Sequence, residues 1–289
     1  MLKKGITNRR RLFLVGSSFV LPWIIGYLVF TLYPIIYSVI LSVCDLDFAM
    51  DGLSFSFAGA KFYRRALQED TKFTLFLVES VSYILYATPI ITVISLLLAL
   101  LLNGKYKGRT LFRALFFMPV VIMSGPVISQ LLSKYQVNFS VTAPSLYNLI
   151  NSVPELFKSP CMFVLDNLVT VFWYSGVQIL LFLISLQRIS PELYEAASID
   201  GAGKWEQFWK ITLPYVAPMI ILCAFYTIIE LANDSTNSVN KYIANRLTDI
   251  SGYYSFSAAM SWIYTLSTGA ILIVLYVVFL FFGKRSDKS

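Results

Sequence analysis

Histidine is absent from this chain of 289 residues, cysteine occurs three times, and charged residues make up only 13%. Without histidine, no Ser-His-Asp triad and no HExxH zinc site can form. No GxxxxGKS/T stretch occurs either, so the backbone cradle and lysine that hold nucleotide in phosphate-loop proteins are missing. Low-complexity tracts and a short-period repeat are absent as well, which excludes solenoids. What is plentiful is apolar: 57% of residues, where soluble chains sit nearer one half apolar and about a quarter charged. The length would allow two soluble domains, yet apolar runs recur throughout and leave no soluble block of domain size. One integral membrane domain over 1–289, all-α, is the economical reading.

A bilayer crossing takes roughly 20 mostly apolar residues at about 1.5 Å each. Six segments qualify: 13–43, 73–102, 111–132, 163–186, 215–231 and 256–282. The first is overlong and holds Pro22 and Pro34, so it is expected to tilt, kink or protrude as helix. Its apolar stretch outruns a signal peptide and no small-x-small site closes it, so it is read as an uncleaved span.

The net charge of +7 is compatible with a nucleic-acid binder in principle, but the basic residues sit at the ends of apolar runs and line no polar face. They report orientation instead. Lys3, Lys4, Arg9, Arg10 and Arg11 precede the first span, Lys105, Lys107, Arg109 and Arg113 follow the second, Arg188, Lys204 and Lys210 follow the fourth, and Lys284, Arg285 and Lys288 end the chain. The opposite connections hold fewer and offset them with Asp45, Asp47, Asp51, Glu69 and Asp70. Both termini and the connection at 190–214 are thereby expected on the cytoplasmic side. Cys44 and Cys161 fall near the outer ends of two spans; whether they pair is not decided by their positions. Cys223, inside the fifth span, is expected to be a packing residue.

The connection at 190–214 has its own grammar. Ser190-Pro191 is a helix start, serine as N-cap and proline where its missing N–H costs nothing, and Glu192 and Glu195 oppose the positive end of the helix dipole. Gly201 suits a left-handed stop after Asp200. The spacing predicts a helix of about ten residues, too short to hold alone in water, with Leu193, Ala196, Ala197 and Ala202 forming a small apolar surface. A second stretch, 204–212, carries Trp205, Phe208 and Trp209 at helical spacing, expected at the membrane interface, and Pro214 is expected to open the fifth span.

From Glu195 to Pro214 the chain reads EAASIDGAGKWEQFWKITLP. Glu-Ala-Ala, the glycine four residues beyond the second alanine, and Ile-x-Leu-Pro ten residues further resemble the EAA loop of ATP-binding cassette (ABC) importer permeases. The Phe-Thr-Leu-Tyr-Pro run at 30–34 and Ala258-Ala259-Met260-Ser261-Trp262 are similar to the carbohydrate uptake group, the maltose, lactose and multiple-sugar permeases. The resemblance implies a type I importer fold with six membrane helices and a coupling helix between the fourth and fifth. It implies a prokaryotic cytoplasmic-membrane protein that is no enzyme and binds no cofactor itself. Expected partners are a second permease, two copies of an ATPase carrying ATP and Mg, an extracellular solute-binding protein, a carbohydrate substrate and membrane lipid, with no nucleic acid. Glu195, Ala196, Ala197, Asp200, Gly201 and Ala202 would couple the loop to the ATPase.

Sugar sites use aromatic faces and amide or carboxylate groups. Tyr174 and Gln178 stand four residues apart in the fourth span, and Tyr226, Glu230 and Asn233 lie close to one face of the fifth. Tyr174, Gln178, Glu230 and Asn233 are the candidate substrate contacts, with polar packing as the plainer role; Trp173 is assigned to packing. Glu79 and Glu230 are costly against lipid and are expected to face a cavity, water or a partner. A permease for a polyamine or phosphate, a channel, and an intramembrane enzyme are the alternatives. The lack of a catalytic constellation opposes the last, and the elaborate loop opposes a pore.

Overall fold

The computed structural model describes residues 2–49, 52–104, 111, 154–248 and 254–286. The expected third span, apart from Leu111, and most of the connection after it lie outside the described residues. The described elements are α1 (Leu2–Tyr27), α2 (Tyr33–Val43), strands β1 (Cys44–Ala49) and β2 (Gly52–Phe57), α3 (Lys61–Arg64), α4 (Thr71–Asn103), α5 (Glu155–Asp166), α6 (Leu168–Gln187), α7 (Pro191–Ile199), α8 (Lys204–Gln207), α9 (Leu213–Asn233), α10 (Ser238–Leu247) and α11 (Tyr254–Ser286). Among the described residues five segments are long and apolar enough to cross a membrane: Val15–Val43, Thr71–Asn103, Thr170–Gln187, Lys204–Leu247 and Tyr254–Leu280. The chain divides into two compact units, one of Met1–Leu77 with Lys241–Leu266, the other of Val78–Asn240 with Ser267–Ser289.

In the first unit α1 and α2 are joined by a π-helical turn, Leu28–Leu32, closed by the Tyr33 N–H to the Leu28 carbonyl. Pro34 follows directly. In a regular helix its ring would press on the carbonyl four residues back, and one widened turn relieves that contact. The chain turns at the end of α2 into an antiparallel hairpin whose register runs from Cys44 opposite Phe57 to Ala49 opposite Gly52. This hairpin corrects the all-α expectation; it falls in a polar connection where apolar-run analysis carries no signal. Ala58 and Gly59 both donate to the Val43 carbonyl at 2.9 Å, and Lys61 pairs with Asp45 at 3.0 Å. Ser42 meets the Tyr63 hydroxyl at 2.7 Å, and the Trp262 indole donates to Ser38 at 3.2 Å. Asp70 caps α4 by accepting the Phe73 N–H at 3.0 Å and takes the Tyr242 hydroxyl at 2.7 Å on its other oxygen.

The second unit is a packed set of α4, α6, α9 and the later part of α11. One apolar cluster joins Ile84, Ala87 and Ile91 of α4, Val171 and Tyr174 of α6, and Ile228 and Leu231 of α9, with Ile271, Leu272 and Leu275 of α11 against it. A second joins Ala99 and Leu102, Ile179, Phe182, Leu183 and Leu186, and Val216 and Cys223, so Cys223 does pack. All three cysteines are free. In lipid, burial of apolar area does not itself drive helix association, so small residues that permit close approach and polar groups that bond across helices matter most. Ala87, Ala99, Ser95 and Ser175 are fully buried here. More than half of the most apolar stretch of α6 is buried, whereas none of the corresponding stretch of Val15–Val43 is, leaving the latter's Val, Ile and Phe side chains for lipid or a partner.

One sequence boundary needs correction. The run 163–186 is not one helix: α5 ends at Asp166, and Asn167 leaves helical geometry at φ −113° and ψ 24° before α6 begins. The Asn167 amide donates to the Phe163 carbonyl at 3.0 Å, so the Asp-Asn pair breaks a run that hydropathy joins. At the fifth span α9 begins at Leu213 with Pro214 in its first turn. A π turn, Phe208–Thr212, carries the helix from α8 into α9, closed by the Leu213 N–H to the Phe208 carbonyl. It precedes proline by the same interval as the turn before Pro34, and for the same steric reason.

Candidate functional site

The second unit has a chemically distinct construction at each end of its helices. At one end, beyond the last turn of α6, Ser190 stands outside α7 at φ −61° and ψ 130° and its hydroxyl accepts the Glu192 N–H at 3.3 Å. At the far end of α7, Gly201 adopts φ +85°. Its N–H donates to the Ser198 carbonyl at 3.2 Å, and Ala202 donates to the Ala197 carbonyl at 2.9 Å. That pair of bonds is the Schellman closure of a helix. A Cβ at Gly201 would meet nothing within 4 Å, so glycine is required by the positive φ and not, as turn crowding would suggest, by a clash.

A residue that sequence reasoning passed over holds this helix down. Gln207, only 9% exposed, donates through its amide to Ser198 Oγ at 2.8 Å and to the Ala202 carbonyl at 3.2 Å, and Tyr194 reaches Thr212 Oγ1 at 2.8 Å. Ala197 and Ala202 are accordingly half-buried, while Glu195, Ala196, Asp200 and Gly201 are exposed. Leu193 and Ile199 are exposed too, the latter 86%, and Trp205 74%. Trp205, Phe208 and Trp209 form one aromatic cluster with ring centroids 5.4–6.2 Å apart. The signal for Gln207 was a lone uncharged polar residue among those aromatics.

At the other end the start of α4, the junction of α5 and α6, and the end of α9 converge on a cavity of about 250 Å³. Glu79, Ser80 and Tyr83 line it from α4, Asn167 and Thr170 from the junction, and Leu231, Asp234, Thr236, Asn237 and Ser238 from the segment after α9. Asp234 organises that segment. It ends α9 in extended geometry at ψ 122°, accepts the Thr236 N–H at 2.8 Å on Oδ1 and the Thr236 hydroxyl at 2.6 Å on Oδ2, and takes the Tyr174 hydroxyl at 2.7 Å. Asn237 accepts from Ser80 and from the Val239 N–H, and Asn240 donates to the Ala232 and Asp234 carbonyls at 2.8 Å each. The side chains thus satisfy the carbonyls that the end of α9 frees. The polar run Asn233 to Asn240 was the available signal for Asp234.

None of the four sequence candidates lines this cavity. Tyr174, 6% exposed, reaches it through Asp234. Gln178 is fully buried; it accepts from Ser95 at 2.5 Å and donates to Thr227 at 2.6 Å, a bridge across α4, α6 and α9 between the two apolar clusters. Glu230 is half-buried, and its Oε2 is buried without a hydrogen bond. Asn233 is exposed. Glu79, noted only as an intramembrane carboxylate, does face the cavity and is exposed.

Residues 72–289 match the family described as binding-protein-dependent transport system inner membrane component. The chain belongs to that family. It is 32% identical to the arabinooligosaccharides transport system permease protein AraP of Bacillus subtilis over 73% of this chain and 66% of that protein. It is 28% identical to the lactose transport system permease protein LacF of Rhizobium radiobacter over 94% and 95%. The solved bacterial alginate ABC transporter, in complex with an alginate pentasaccharide-bound periplasmic protein, shares the fold with a TM-score of 0.60 at 21% identity, over 93% of this chain and 94% of that one. The chain is a multi-pass ABC transporter permease of the sugar-transport group and not an enzyme.

Proposed function

We propose that this permease is one of two paired membrane subunits of an ATP-driven importer that takes a carbohydrate, an oligosaccharide handed over by an extracellular binding protein, by alternating access. One observation carries the reading: within a single packed unit a closed, anchored helix with an apolar tip stands at one end of α4, α6 and α9, and a polar cavity stands at the other. A push on α7 would reach the cavity through helices tied together by Ser95, Gln178 and Thr227. The permeases for arabinooligosaccharides and lactose among its relatives supply the substrate class.

In this reading six helices cross the membrane, the third at 111–132, and the Lys and Arg distribution puts both termini and α7 in the cytoplasm. There α7 is the coupling helix. Glu195, Ala196, Ala197, Asp200, Gly201 and Ala202 are its coupling residues; Glu195 and Ala196, with Leu193 and Ile199, meet a cleft of the ATPase, which holds ATP and Mg. Gly201 fixes the stop, and Ala197 and Ala202 back the helix against Gln207. On the outer side Glu79, Tyr83, Thr170 and Asp234 contact substrate, with Tyr174 positioning Asp234; the cavity approaches the roughly 300–1,000 Å³ of small-molecule sites. Glu230 and Asn233 join from the end of α9 as the helices move, and Gln178 serves as their strut.

Purification of the complex through a tag on this chain, with mass spectrometry of its partners, tests the assembly. An ATPase, a second six-span permease and a lipoprotein that binds sugar are expected; repeated recovery of the chain alone in several detergents would refute it. A permease for a polyamine would keep the same α7 and is favoured by the carboxylates Glu79 and Asp234. Uptake of labelled spermidine set against a labelled oligosaccharide separates the two.

A further inference from the structure

We infer that the outer cavity is a charge filter, with Glu79 as its specificity-determining residue: it admits uncharged saccharides and rejects those bearing carboxylate or phosphate. The inference rests on the cavity being the substrate site, as proposed above. Among the described lining residues two are carboxylates, Glu79 and Asp234, and none is lysine or arginine. The remaining polar groups there, Ser80, Tyr83, Thr170 and Asn237, are neutral hydroxyls and amides that suit sugar hydroxyls equally well as donors or acceptors.

The two carboxylates differ in what they can do. Asp234 already accepts from Tyr174 and twice from Thr236, so donors inside the protein fix its geometry. Glu79 is exposed, early in α4, and is free to turn toward a ligand. An ionised carboxylate only accepts hydrogen bonds; it rewards a hydroxyl and offers nothing to a second carboxylate. A cavity of about 250 Å³ has the volume of a sphere about 8 Å across, so an anionic group at its centre stands within a Debye length of both charges. Asp234 is half-buried and Glu79 exposed, so solvent screens part of the second charge and the repulsion at that range reduces binding about tenfold.

The test uses the complex purified through this chain and placed in lipid nanodiscs without the binding protein, so that the binding protein's own selectivity does not enter. Saturation-transfer NMR follows maltotriose and trigalacturonate at millimolar concentration. Maltotriose is expected to bind and trigalacturonate to bind about tenfold more weakly, with the gap narrowing as salt is raised. Glu79→Gln is expected to bring trigalacturonate to within about threefold of maltotriose, and Glu79→Lys to reverse the order. Equal binding of both sugars to the unaltered complex, or a ratio that Glu79→Gln and salt leave unchanged, overturns the filter and leaves the site reading intact. Maltotriose binding that persists when Thr170→Trp fills the cavity overturns the site reading, and the filter with it.

Discussion

The two ends of the second unit are built by opposite rules. Helix α7 and its anchor come from one stretch, Ser190 to Thr212: the cap, the Schellman stop and the Gln207 bonds all join residues close in sequence. The cavity draws on Glu79, Thr170 and Asp234, residues far apart in the chain that only helix packing brings together. The lesson concerns robustness. A locally closed element keeps its shape when its surroundings rotate, which suits the coupling role proposed for α7, whereas a site assembled from three helices changes whenever they shift, which suits the proposed substrate site.

The largest expected effect breaks the local end. Gly201→Val forces a β-branched residue to φ +85°, against a handedness cost of about 1–2 kcal/mol or more. Uptake is expected to fall to background while the complex still purifies, and Gly201→Asn, which tolerates that conformation, restores much of it. Undiminished uptake in the valine variant would show that α7 transmits nothing. Next, Asp234→Ala removes the acceptor of Tyr174 and Thr236 and is expected to lower uptake more than about tenfold, with the ATPase activity of the complex retained; Asp234→Asn, which keeps an acceptor, loses less.

The strut between the ends sharpens the comparison. Gln178→Ala removes the bridge from Ser95 to Thr227, which keep only their bonds to the Ile91 and Cys223 carbonyls of their own helices, at about 1–2 kcal/mol for such bonds between membrane helices, read as a lower unfolding temperature in detergent. If the strut transmits motion, basal ATPase also uncouples from uptake; a purely structural role lowers stability alone. The smallest effects belong to the anchors. Gln207→Ala is expected to cost about 1 kcal/mol locally and Ser190→Ala about 0.5 kcal/mol, given its 3.3 Å cap bond. Both are read as faster amide exchange over α7.

The legibility of the sequence followed the range of the interactions. Ser190-Pro191 and Gly201 announced α7 because caps depend on two or three neighbouring residues. The spans at 73–102 and 256–282 lie within α4 and α11, since an apolar run of that length has few alternatives. At 163–186 the same logic failed, because one Asp-Asn pair ends a helix without changing mean hydropathy. At Pro214 the proline does stand in the first turn of α9, and what the sequence did not announce is the π turn that joins α8 to it. Tyr174 and Gln178 were found as polar groups on an apolar helix, but which of them meets a cavity and which a buried serine depends on the register of α6 against α4 and α9.

The sequence by itself determined that this is a helical membrane protein, that it carries a short closed helix between two spans, and that it has no GxxxxGKS/T phosphate loop. These follow from composition, run length and local backbone preference, which act without reference to distant residues. Only the tertiary structure decided that Asp234 and Glu79 share a cavity, that Gln178 is a strut, and that Gln207 pins α7. Side chains on different helices meet according to how the helices pack, and in lipid that packing is set by small residues and polar bridges whose partners no single stretch of sequence names.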